Sequence, residues 1–148
     1  MDARVRAALL ALFVFGAAGT ATELLLLEHT EKLAQWVPLT AIATSLAVLA
    51  AHALARHQVT VRAFQGLMVL FLAAGAAGVV LHYRGNAEFE RERDPGIAGS
   101  DLFRHAMMGA TPALAPGTMV LLGAVGLLYA YRHPALSRPR GPASSTEE

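Results

Sequence analysis

Residues 63–83 read AFQGLMVLFLAAGAAGVVLHY, a stretch without a single Asp, Glu, Lys or Arg. At 1.5 Å per residue a helix over this stretch covers about 30 Å, the thickness of a bilayer's hydrocarbon core. Its apolar residues do not alternate with polar ones, so it does not read as a strand of a membrane barrel. A helix apolar on every side belongs in a large core or in lipid. A chain of 148 residues cannot build a core that large around it.

Working outward, residues 34–55 and 5–27 upstream and 112–131 downstream have the same character. Each is about 20 residues or slightly longer, the length a spanning helix needs. The expectation is an all-α membrane protein: four transmembrane helices in an antiparallel bundle forming one domain over residues 1–133. Residues 134–148, with Pro139, Gly141, Pro142 and Ser144-Ser145, read as a disordered cytoplasmic tail. The first span has a competitor, because Arg4 and Arg6 before an apolar run and Gly19-Thr20-Ala21 after it also fit a cleaved secretory signal. Leu24 to Leu27 argue against cleavage by carrying the apolar run past the candidate cut.

Composition agrees with this class. The chain is 55% hydrophobic and 16% charged, with a mean hydropathy of +0.45, against about a quarter charged in ordinary soluble domains. Absence of cysteine excludes disulfides, thiolate metal sites and a thiol nucleophile. Arg4, Arg6, Arg56, Arg62, Arg132, Arg138 and Arg140 fall on one side of the expected bundle, with Asp2, Glu147 and Glu148. The other side is net acidic: Lys32, Arg84, Arg91, Arg93 and Arg104 face Glu23, Glu28, Glu31, Glu88, Glu90, Glu92, Asp94 and Asp101. Basic residues stay on the cytoplasmic side, so both termini are expected there. Abundant Ala and Arg beside a single Lys32 point to a GC-rich bacterium and hence to its inner membrane.

Helices in lipid associate by close packing of small residues. Gly16 and Gly19 in the first span, Gly75 and Gly78 in the third and Gly123 in the fourth are the expected packing positions. Trp36, Tyr83, Tyr129 and Tyr131 are expected in interfacial aromatic belts. The link over residues 84–111 is long for a compact fold. Within it Asp94-Pro95-Gly96 signals a turn. Ser100 can cap a short helix starting at Asp101, lying in the outer interface or on top of the bundle. Pro112 and Pro116 predict an irregular approach to the last span.

Ionisable groups within a membrane are candidates for function. Spacing from Gly16 through Thr20 places Glu23 on the inward face of the first span, as a proton or metal carboxylate or as a structural hydrogen-bond partner. His29, His82, Glu88 and His105 join it at the outer side, a donor set suited to a divalent metal. No metal-ligand spacing such as His-Glu-x-x-His is present, and no cofactor is demanded by the sequence. Haem is disfavoured, because His52 and His82 differ in depth by roughly 25 Å. No nucleophile elbow, phosphate loop or nucleic-acid-binding patch occurs. The expected function is therefore that of a non-enzymatic accessory or assembly partner in a membrane complex. It would sit in the lipid bilayer beside a larger membrane protein or further copies of itself. The alternative is a proton- or metal-linked carrier using Glu23 and the outer His and carboxylate groups.

Overall fold

The computed structural model describes residues 1–28, 30–109 and 113–137. Among the described residues five helices follow one another: α1 (Ala3–Leu26), α2 (Trp36–Ala55), α3 (Gln58–Arg93), α4 (Gly99–Met107) and α5 (Gly117–Ala130). Short 3-10 turns precede α2 at Leu33–Gln35 and follow α5 at Pro134–Leu136. No strand occurs among the described residues. By length and composition α1, the Leu33–Ala55 segment and α3 are long and apolar enough to cross a membrane. Their outward surfaces are apolar: Phe15 is 80% exposed, Leu33 91% and Leu54 89%. An aqueous monomer rarely tolerates so much exposed apolar surface.

Local chemistry sets the helix ends. Asp2 caps α1 by accepting from the Arg4 amide at 3.2 Å. Arg56 closes α2 in the left-handed region with φ 49°, and the His57 ring accepts from the Val59 amide to start α3.

α3 is the organising element. α5 packs along it most extensively, α2 lies against it, and α1 bridges α5 and α2. The centre is aromatic: Phe13 meets Phe64 edge-on at 5.2 Å, and Phe64 meets Tyr129 the same way at 5.8 Å. Tyr129 thus belongs to the core and not to an interfacial belt. Trp36 is exposed, its ring nitrogen donating to the Thr30 carbonyl.

The α3–α5 seam is close. A Cβ at Gly75 would lie 2.8 Å from the Val120 amide nitrogen and 2.9 Å from the Pro116 carbonyl oxygen. One at Gly123 would lie 2.8 Å from the Met68 carbonyl oxygen. Gly78 faces the Pro116 ring, and Gly16 faces the Leu122 side chain. Gly19, in contrast, has nothing within 4 Å. The buried side chains of α1 are Phe13 and Ala17, and the half-buried Thr20 and Leu24 continue that line. This line is set one residue off the expected stripe. Successive residues point about 100° apart, so the phase turns Gly19 and Glu23 outward.

Two further boundaries differ from expectation. The charged stretch after Tyr83 is no loop: α3 continues through it to Arg93. Ala87, Glu88, Glu90, Arg91 and Glu92 are good helix formers, and Glu90 and Arg93 pair at 2.9 Å one turn apart. The 36 residues of α3 make a rod of about 54 Å, well beyond a bilayer core. α4 begins at Gly99 with Ala98 at its cap and no side-chain capping bond, so Ser100 lies inside the helix. The last apolar helix spans only Gly117–Ala130, 14 residues, preceded by turns over residues 113–116. Pro116 removes a backbone donor there. The start of the expected fourth span and the tail beyond Ser137 lie outside the described residues.

Candidate functional site

Polar groups gather at the two ends of the bundle. At the platform end, the extension of α3 carries α4 on its side. Ala87, Leu102 and Ala106 are buried between them, with Tyr83 and Ile97 packed around. Tyr83 and Phe103 rings approach to 5.9 Å. Asn86, buried on α3, donates from its side-chain amide to the Ala106 carbonyl at 2.8 Å and so satisfies an acceptor at the C-terminus of α4. Gly109 lets the chain pass directly over that asparagine, for a Cβ there would lie 2.7 Å from its Cγ.

Glu90 is only 6% exposed. The Arg93 guanidinium lies 2.9 Å from its Oε2 and the His105 Nδ1 lies 3.7 Å from it. Neither is aligned for a hydrogen bond to that buried oxygen; the Arg93 guanidinium holds it by charge attraction, and His105 packs beside it. Beside α4 an open groove of about 680 Å³ is lined by Tyr83, Arg84, Ala87, Glu88, Arg91 and Glu92.

At the terminal end, the start of α1 meets the end of α5. The Arg6 guanidinium donates to the carbonyls of Tyr129, Tyr131 and Arg132 at 2.8, 3.3 and 3.3 Å. A cation on the last carbonyls of a helix also favours its dipole. Beside it the His52 and His133 rings meet edge-on at 4.9 Å, and Tyr129 lies 5.5 Å from His133.

The ring protons follow from the hydrogen bonds. The Thr60 hydroxyl donates to the His57 carbonyl at 2.7 Å, so it accepts from His52 Nδ1, also at 2.7 Å. In the neutral ring the lone pair of His52 is then on Nε2. His133 Nδ1 accepts from the Ala135 amide at 3.2 Å, which leaves its proton on Nε2. Burial lowers the His133 pKa below its ordinary value, and the neighbouring charge of Arg6 lowers it further.

No family model matches the chain, and no curated protein or solved structure does.

The residues singled out from the sequence are dispersed. Glu23 is exposed on α1, and Glu88 is exposed in the platform groove. His82 is half-buried on α3, just below the platform. His105 is half-buried on α4 and reaches Glu90. His29 lies outside the described residues. Among the described residues no three His, Asp or Glu side chains gather as metal ligands, so Glu23, His82, Glu88 and His105 do not assemble into one centre. His52 and His82 lie near opposite ends of the bundle.

The sequence does not mark the terminal cluster: Arg6 reads as one of the basic residues on the cytoplasmic side, and His52 stands out only by its distance in depth from His82. A signal existed. Arg6, His52 and His133 each lie within about a turn of the same end of a different apolar segment, hence at one depth.

Proposed function

We propose that the chain is a small multi-pass protein of a bacterial inner membrane and acts there as a non-enzymatic accessory or assembly partner. Four spans, with both termini cytoplasmic, account best for the charge distribution and for the exposed apolar surfaces of α1, α2 and α3. In this reading α5 and the turns before it complete the fourth crossing. Non-helical backbone at membrane depth needs protein cover, and Gly75 and Gly78 supply it by letting α3 approach Pro116 closely. The terminal end faces the cytoplasm. α4 stands on the outer side, braced on the α3 extension.

The observation that carries the functional reading is this braced extension. A helix continued past the apolar zone and locked by α4 through Asn86 and Glu90 offers a rigid surface outside the bilayer. Its open face bears Arg84, Glu88, Arg91 and Glu92, both charge signs and no paired nucleophile and base. Such a surface suits polar recognition of another membrane protein's outer part. A photo-crosslinking residue at Arg91 should capture one discrete protein in native membranes, whereas the same residue at lipid-facing Phe15 should not. A chain that stays solitary from both positions contradicts the proposal.

A further inference from the structure

Between the end of α2 and the turn after α5 lies a second pocket, of about 340 Å³, lined by His52, Ala53, Arg56, His133, Pro134 and Ala135. We infer that this pocket binds a phosphate group, supplied by the headgroup of an anionic phospholipid. The inference rests on the membrane reading above, which places the pocket at headgroup depth on the cytoplasmic side.

Three observations carry it. First, the pocket has donors for a phosphate. Arg56, exposed at its mouth, presents the planar fork of donors that matches phosphate oxygens. His133 keeps its ring proton on Nε2, because its Nδ1 is occupied by the Ala135 amide. Second, the pocket wall also carries His52, whose neutral ring presents an acceptor at Nε2 because its Nδ1 is bonded to the Thr60 hydroxyl. That combination receives a phosphate's anionic oxygens together with a neighbouring hydroxyl, such as a glycerol headgroup carries.

Third, the surrounding charge is one-sided. Arg4, Arg6, Arg56, Arg62 and Arg132 sit at this end with Asp2 as the one acidic side chain among the described residues there. Both ion pairs found among the described residues lie on the platform instead. Among the described residues the basic charge at the terminal end is therefore not neutralised by ion pairing, and polybasic surfaces at the cytoplasmic leaflet attract anionic lipids. Arg6 does not line the pocket, its guanidinium being turned to the Tyr129, Tyr131 and Arg132 carbonyls; its charge adds to the field.

The test uses the full chain in neutral detergent, with native mass spectrometry to count retained ligand and circular dichroism to verify folding. One phosphatidylglycerol should be retained per chain in preference to phosphatidylcholine. Arg56→Gln should weaken retention about tenfold, as loss of a charge-assisted contact does, and His133→Phe should weaken it several-fold. Arg4→Gln, which removes an equal charge outside the pocket, should leave it within twofold. Equal retention of the two lipids overturns the inference. Equal weakening by Arg4→Gln and Arg56→Gln also overturns it, because diffuse surface charge then explains the binding. Inorganic phosphate that displaces the lipid mole for mole identifies a soluble phosphate as the source and overturns the lipid assignment. Alkaline extraction of native membranes separates the two proposals. A chain washed out by alkali refutes the membrane reading, whereas a retained chain without lipid preference refutes only the pocket.

Discussion

At the platform end a buried carboxylate, Glu90, sits between Arg93 and His105, while at the terminal end a guanidinium, Arg6, sits on three backbone carbonyls. One end is held by side-chain charges of opposite sign, the other by a cation completing a helix terminus. The difference shows in what remains unbalanced. The platform neutralises its charge internally and leaves a mixed-sign groove; among the described residues the terminal end leaves its arginines without ion pairs beside two histidines. An end of the first kind suits a polar protein partner, and one of the second kind suits an anionic surface.

Breaking the terminal end should have the larger effect. Arg6→Gln removes the clamp between α1 and α5 and should cost about 2 kcal/mol, the scale of hydrogen bonds to a charged group. Its thermal unfolding midpoint in detergent should fall, and amide exchange in the last turn of α5 should quicken. On the platform, Asn86→Ala should cost about 1 kcal/mol by leaving the Ala106 carbonyl without its donor. Faster amide exchange confined to α4 would verify it. Glu90→Gln should cost less than about 1 kcal/mol, because the lost ion pairing is offset by relief of a buried charge. A large global loss from that variant would mean that the carboxylate is a structural keystone.

The smallest expected effect is a pH dependence confined to the terminal end. The His133 pKa is lowered in the folded state, so between that value and the unfolded one near 6.5 the unfolded chain binds more protons. The associated stability is present above about pH 6.5 and is lost as pH falls through the folded-state pKa. His133→Gln should flatten the fall in thermal midpoint below pH 6.5. An unchanged slope would assign the dependence to other groups.

Much of the fold was legible because apolar length is a strong signal. Residues 63–83 announce a long apolar helix whatever surrounds them, and α1 and α2 follow by the same reasoning. The end of α3 was hidden because alternating Glu and Arg after Tyr83 reads equally as a solvated loop. Only the apolar partner surface of α4, contributed by Leu102 and Ala106, shows what the helix extension is for. The phase of α1 was hidden for a related reason. Ala, Gly and Leu occupy all its sides, so polarity does not mark an inward face, and the bulk of Phe13 inserted toward Phe64 and Phe71 decides it. Glu23 is consequently exposed, where the glycine spacing predicts an inward face. The terminal cluster depends on three segments meeting at one depth, which single-segment patterns do not express.

Orientation is the most direct test, since both proposals depend on the terminal end facing the cytoplasm and the platform facing out. The chain lacks cysteine, so single cysteines report without background. Glu88→Cys on the platform and Ser137→Cys at the terminal end are both exposed positions. A membrane-impermeant maleimide applied to intact spheroplasts should label Glu88→Cys at once and Ser137→Cys only after lysis. Labelling of both from outside, or of Ser137→Cys alone, would contradict the account.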